Sequence, residues 1–320
     1  LTTLLQTTVS IHPGFQIVFY PIYHMGHSAE GSFSSLPLFS GFVLGAFLLV
    51  YLLVSRSFLP LATGKHAMHH TAFNLSALKS NSIPKSLLWK ELQVFGNSST
   101  YLLNCSLGSV LLLLAIPLVL IYRSDIRLLL EPLAHGHHDP SPLIGAACVA
   151  LLSSFNVITA PSINLESKTL WLIQTLPVSG WNILRSKLQL HWIITAVPAI
   201  LCSLAVSIAI HTSFLFTALS AIFVGVYVMM TGVLGLMLNL LLPNFRWATE
   251  SAAVKHSISV ILSLIFNWLI LALCGGMYYL MASNTHFEEI LLFWAIGVWF
   301  VAHQITHWLK TDGARILKTM

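Results

Sequence analysis

Seven times along the chain, about twenty residues pass almost without a charge. The runs are Leu36–Val54, Ser99–Tyr122, Leu143–Ala160, Gln189–Ile210, Phe214–Leu242, Ile258–Ala282 and Ile290–Leu309. A helix of ~20 apolar residues is what it takes to cross the hydrocarbon core of a bilayer. Within that core backbone groups have no water to bond, so each run satisfies its own N–H and C=O groups as a helix. The expected fold is therefore all-α, a polytopic membrane bundle of about seven transmembrane helices. Composition agrees: 56% of the 320 residues are hydrophobic and 8% are charged, against roughly 25% charged in a soluble domain. Pro117 and Pro198 fall inside runs and predict kinks. Thr212 and Ser213 mark a tight turn between two of them.

What lies between the runs divides the chain. Residues 1–34 contain Pro13 and Pro21 and no Lys or Arg, and read as an irregular segment on the external side. The chain opens on Leu1 with no basic leader before it, which suggests a truncated N-terminal half. Residues 35–83 supply one span and a polar cytoplasmic linker. Residues 84–320 supply a six-span block. That block opens with Pro84–Asn97, whose Leu87, Leu88, Leu92 and Phe95 share one helical face.

Loops alternate sides of the membrane, and the 15 Lys and Arg do not. Thirteen of the 15 fall on one side and only Arg123 and Arg127 on the other. The positive-inside rule makes the crowded side cytoplasmic, with the C-terminus on it and the loop carrying His135, His137 and His138 outside. A net charge of +5 spread in this way is a topology signal and gives no reason to expect nucleic acid. The four cysteines, Cys105, Cys148, Cys202 and Cys274, all sit in apolar runs, form no C-x-x-C pair, and read as small hydrophobes.

One cytoplasmic stretch mixes charge, Trp and Leu: Ile163–Leu188, INLESKTLWLIQTLPVSGWNILRSKL. It reads as two short amphipathic helices broken at Pro177. Asn164 would cap the first, with Glu166 in its first turn. Arg185 and Lys187 would close the second, where cations suit the helix dipole. Leu165, Trp171 and Leu172 are too bulky for a free linker, so the stretch lies in the membrane interface or docks on a partner. An ordinary interfacial connector remains the plainer alternative.

Three phrases on the cytoplasmic face give the chain a resemblance. The first is Lys90-Glu91-Leu92 with Ser98, Ser99, Tyr101, Leu102 and Asn104. The second is Glu166-Ser167-Lys168, Trp171, Leu176-Pro177-Val178 and Lys187. The third is Pro243-Asn244-Phe245-Arg246-Trp247 with Glu250, Ala253, Val254 and Lys255. Together they resemble the permeases of ABC-2 type transporters, in particular the large ABC exporter permeases of bacteria. The resemblance implies a bacterial plasma-membrane protein and a separate ATPase partner. It makes Pro84–Asn97, with Lys85, Trp89, Lys90 and Glu91, an interfacial connecting helix. It makes Glu166, Lys168, Trp171, Leu176, Pro177 and Arg185 the coupling element, and Asn244, Arg246, Trp247, Glu250 and Lys255 a third cytoplasmic contact. ATP and Mg would be held by the partner, since this chain has no G-x-x-x-x-G-K-[ST]. Permeases of this kind work in pairs, which implies a second copy. The cavity is expected to be apolar and uncharged, suited to a hydrophobic or amphipathic cargo.

Histidine supports a competing reading. His66-Ala-Met-His69-His70, His135-Gly-His137-His138-Asp139 and the His303/His307 pair resemble the boxes that hold two irons in membrane desaturases and hydroxylases. The charge tally puts the first two clusters on opposite sides of the membrane, and their order is wrong for that family. The external cluster could still take a metal weakly. A secondary transporter would be expected to carry membrane-embedded carboxylates, whereas the ten acids here lie in loops or at span ends. His191, His303, His307, Asn156, Asn239 and Asn267 are the polar groups within spans, where helix–helix hydrogen bonding competes with a functional role.

Overall fold

The computed structural model describes residues 20–31, 33–63, 82–130, 140–255, 257–281 and 286–320, and every regular element among them is helical. The chain divides into two compact units between Ser80 and Asn81.

In the first unit, α1 (Tyr20–Ala29) lies in the stretch expected to be irregular. Pro21 is its second residue, where a missing N–H costs the helix nothing. Tyr23 and His27, one turn apart, meet edge-on with ring centroids 4.5 Å apart. Helix α2 (Ser35–Thr63) contains the first apolar run, Ser35–Arg56, and extends beyond it. The expected linker, with His66, His69 and His70, lies mostly outside the described residues.

The second unit begins with α3 (Ile83–Asn97), the predicted amphipathic helix. Its buried face carries Leu87 and Phe95 as expected, and also Glu91. Next come α4 (Ser99–Cys105) and α5 (Leu107–Ile121), two pieces of the expected second span bent by 54° at Ser106. They are followed by α6 (Arg123–Leu130), α7 (Ser141–Ser154), α8 (Ser162–Leu165), a 3₁₀ turn at Ser167–Thr169, and α9 (Leu170–Thr175). The long helices are α10 (Gly180–Ile210), α11 (Phe214–Leu241), α13 (Ile258–Met281) and α14 (Phe287–Trp308). The short α12 (Glu250–Lys255) precedes α13. A π turn at Leu309–Gly313 links α14 to α15 (Ala314–Thr319). Among the described residues, five helices are long and apolar enough to cross a membrane, or six if the bent pair is one span. Helix α7 is apolar but shorter.

Helices α10 and α11 form the centre. Helix α11 packs chiefly on α14 and α10, and α10 in turn on α5, α7 and α3. Small residues meet between them: Ser203 Oγ lies 3.0 Å from Ser220 Oγ, and Gly232 packs against the His191 ring. Small side chains let backbones approach, which is how membrane helices gain packing when lipid is as apolar as leucine. The outer faces are the reverse of a soluble protein: Ile261, Ile265, Leu269 and Leu273 of α13, and Phe293, Ile296 and Phe300 of α14, are exposed.

Two sequence signals take an unexpected form. Pro198 does not interrupt α10, which runs from Gly180 to Ile210. Proline at that position frees the Ile194 carbonyl one turn earlier, and Ser109 Oγ donates to that oxygen at 2.8 Å. The turn expected at Thr212 and Ser213 is centred just before them, on His211, in the left-handed region at φ 59°. The Thr212 N–H reaches back to Ser207 O and the His211 N–H to Ile208 O, the paired bonds that close a helix on a left-handed residue. Ser213 Oγ then accepts from Phe216 N–H and starts α11.

Candidate functional site

The expected span Leu143–Ala160 is helical only as far as Ser154. From Asn156 to Asn164 every residue is buried, mostly outside regular helix. Irregular buried backbone survives only where protein groups satisfy it, and here polar side chains either bond that backbone or reach from it to the neighbouring helices. Asn156 Oδ1 accepts from Ser109 N–H, an orphan donor in the first turn of α5, and Asn156 Nδ2 donates to Ser109 Oγ. Tyr101 donates to Ile158 O at 2.6 Å, Thr159 to Gly232 O at 2.8 Å, and Ser259 to Ala160 O at 3.0 Å. Asn239 Oδ1 accepts from Ile163 N–H at the start of α8. Gly108 and Gly235 permit the close approach: a Cβ at 235 would lie 2.7 Å from Thr159 Oγ1, and one at 108 would meet the Leu152 carbonyl.

Beyond this seam the chain makes an elbow. Asn164, expected as a helix cap, is fully buried and is a junction instead. Its Nδ2 donates to Ser257 Oγ, its Oδ1 accepts from Asn244 N–H, and its carbonyl accepts from Trp247 Nε1 at 2.7 Å. Glu166 follows, 5% exposed. One of its oxygens accepts from Lys187 Nζ at 2.7 Å and the other pairs with Lys90. Lys187, 2% exposed, also meets Glu91, 3% exposed, at 3.0 Å, and Lys90 touches Glu91 at 3.2 Å. Two cations and two anions thus close a neutral ring, buried except at Lys90, that joins α3, the elbow and α10. Burial alone would raise the pKa of Glu166, but Lys187 and Lys90 outweigh it and hold the carboxyl below the ordinary glutamate value.

The expected pair of short helices broken at Pro177 is corrected accordingly. Helix α9 ends at Thr175, Leu176 is extended (ψ 137°) as a residue before proline should be, and Ser179 Oγ caps α10 by accepting from Asn182 N–H. Arg185 and Lys187 therefore do not close a short helix. They lie in the first two turns of α10.

Past the ionic ring the chain turns outward. Trp171 is 65% exposed and Leu172 51%, on a six-residue helix anchored by buried Leu170 and Ile173. Leu176 and Pro177 are also exposed. Lys168 stands 4.8 Å over the Trp247 ring. Gln174 Nε2 donates to Leu317 O, tying the hook to the C-terminal helix. A recess of about 310 Å³ between Lys168, Trp171, Phe245 and Met320 opens beside it.

The three sequence phrases converge here although they are far apart in the chain. Lys90 and Glu91 bind the elbow, Asn244 and Trp247 bind it from the other side, and Glu250 Oε2 accepts from Ser98 Oγ at 2.7 Å. Lys85, Trp89, Arg246 and Lys255 are exposed around this assembly. Glu166 and Glu91 face inward and offer nothing to a partner, whereas Trp171, Leu172, Leu176 and Lys168 do. The roles of Lys187 and Asn164 as the two hubs were missed. Their signal is weak in a sequence: one Lys beside a span, and one Asn before a Glu.

The histidines flagged in spans separate. His303 and His307 are exposed on α14, and His303 stacks on Trp299. His191 is buried, with Nε2 3.2 Å from Val228 O. Among the described residues no three His, Cys, Asp or Glu gather as a metal site. His135, His137 and His138 lie outside them. No protein-family model, curated protein or solved structure matches the chain.

Proposed function

We propose that the chain is the membrane subunit of an ATP-driven exporter of the ABC-2 type, in which a separate ATPase grips the hook Ser167–Pro177. In this reading the bent pair α4–α5 and the broken α7 each serve as a span. With α2 and the four long helices they make seven. The crowded Lys/Arg side, hook and C-terminus included, faces the cytoplasm of a bacterial cell. ATP and Mg sit on the partner, two copies of the permease complete a pathway, and the cargo is hydrophobic or amphipathic.

One observation carries the proposal. Trp171 and Leu172 are held exposed on a short helix, with Leu176 exposed just past its end, and the base of that helix is fixed by an ionic ring whose two glutamates and Lys187 are buried. A buried ion pair is expensive and imposes geometry more than it stabilises, so such a base suits a lever better than a linker. An exposed aromatic anchor with a cation beside it is the composition of an interface hot spot. Closure of an ATPase around Trp171 would push on α9 and thence on α10, while Lys90 and Glu91 carry the motion to α3.

The test is purification of the intact protein from its own cells in mild detergent, identification of any ATPase that accompanies it, and assay of ATP hydrolysis. Trp171→Ala with Leu172→Ala should release the ATPase or reduce stimulated hydrolysis at least tenfold, with the helical content unchanged. Full retention of both in that variant sinks the proposal.

A further inference from the structure

The expected cavity was apolar and uncharged. One groove in the second unit is apolar over much of its wall but carries charge. It has a volume of about 640 Å³ and lies between α10, α11 and the end of α14, within the ~300–1,000 Å³ of ordinary ligand pockets. One end is basic: Arg185 and Lys310 line it, no acidic residue does, and neither cation is paired with a carboxylate among the described residues. The contrast with Lys90 and Lys187, both neutralised by glutamates, is direct. Lys310 is positioned by the π turn that begins at Leu309, and its Nζ lies 5.4 Å from the Trp181 ring centre. The middle supplies an uncharged polar rim, Gln189 and Thr306. The other end is apolar, with Trp192, Ile193, Met229 and Val233. From Ile193 an exposed apolar stripe continues along α10 through Val197 and Leu201, one turn apart each, about 12 Å of further track at the helical rise.

Cation, polar rim, Trp and then an apolar track toward the bundle's midplane is the order of groups along a phospholipid, read from phosphate through glycerol to acyl chain. We propose that this groove holds one anionic phospholipid from the bilayer, its phosphate between Arg185 and Lys310 and an acyl chain along Ile193, Val197 and Leu201. The open side of the groove gives lateral entry without desolvating the headgroup. An apolar helix from a partner protein would leave both cations buried and unpaired, a cost the lipid avoids. Arg185, assigned from sequence resemblance to the coupling element, belongs on this account to the lipid site. The site sits two turns into the helix that the hook feeds, so a bound lipid would also brace the base of the hook. The lipid proposal does not depend on the ATPase reading and is tested without an ATPase.

The full chain is purified in mild detergent, stripped of lipid, and titrated with phosphatidylglycerol or phosphatidylcholine of matched chains at low salt, with binding read by native mass spectrometry. Two basic groups at a surface predict about a 30-fold preference for the anionic lipid at one site. Arg185→Gln with Lys310→Gln should bring phosphatidylglycerol down to the phosphatidylcholine level. Lys168→Gln with Arg246→Gln, cations outside the groove, should leave the preference intact. Met229→Trp, which fills the groove and keeps both charges, should weaken both lipids about tenfold. Equal binding of the two lipids by the unaltered chain overturns the proposal. So does a preference that survives Arg185→Gln with Lys310→Gln, or one lost equally in the control pair. If the double variant does not fold, Met229→Trp decides: unchanged retention of phosphatidylglycerol overturns the site.

Discussion

Glu166 and Trp171 are five residues apart and occupy opposite environments, each the wrong one by ordinary rules. The carboxylate is 5% exposed, inside a ring of charges, while the indole is 65% exposed. In a soluble protein the assignments would be exchanged. The difference separates two jobs that the sequence merges into one amphipathic stretch. The inner residue fixes the elbow, and the outer one is left uncovered for something else to cover. Lys168 lies between them in sequence, lying over Trp247 and joining the two regimes.

The sharpest way to break this contrast is to unbalance the inner ring. Lys187→Met leaves Glu91 and Glu166 with only Lys90, and removing one member of a buried pair costs about 3–5 kcal/mol. Thermal unfolding in detergent should show a loss of that size. Adding Glu166→Leu should recover part of it, because an apolar pair is cheaper than an unmatched charge. No loss for Lys187→Met would mean the ring does not hold the elbow.

Acid should attack the ring less severely, since both lysines stay in place. A glutamate whose folded pKa is lowered binds fewer protons folded than unfolded. Its stabilising contribution is complete above the unfolded value of ~4.3 and is lost as pH falls through the lowered folded value. Proteolysis at the elbow should therefore be unchanged from neutral pH down to about 5 and rise only below the ordinary glutamate range. An onset near neutrality would point to a different group.

Asn164→Leu probes the other hub. It leaves the part-buried Asn244 N–H without its partner and the Ser257 hydroxyl with Ser259 alone, a cost of about 1–2 kcal/mol, with the loop of Trp247 loosened first. Hydrogen exchange across residues 243–249 is the measurement, and unaltered protection there would remove Asn164 from the argument. On the outer side, Trp171→Ala should change stability by less than ~0.5 kcal/mol, as surface substitutions do. A large loss of stability would make Trp171 part of the frame after all.

The membrane imposes the features that could be read in advance. Apolar runs and the amphipathic face of α3 are local or additive signals, and they need no knowledge of neighbours. The broken α7 is different. Leu143–Ala160 is almost uniformly apolar, and what halts the helix after Ser154 involves Asn156 bonding a residue 47 positions away in the chain. The inward turn of Glu166 is hidden for the same reason, with one partner 21 positions ahead and another 76 behind. A carboxylate awaiting a protein partner and one already neutralised look alike in a sequence.

The two-residue closure at His211 and Thr212 has a mechanical corollary. A joint of that length, bonded back to Ser207 and Ile208, has no slack, so α10 and α11 tilt together as one beam. The 31 residues of α10 make that beam about 46 Å long at the helical rise. A rotation of ~5° at the hook end then displaces the far end by ~4 Å on that length, about the width of an acyl chain. The histidine turn supplies no hinge between the two helices to absorb such a displacement.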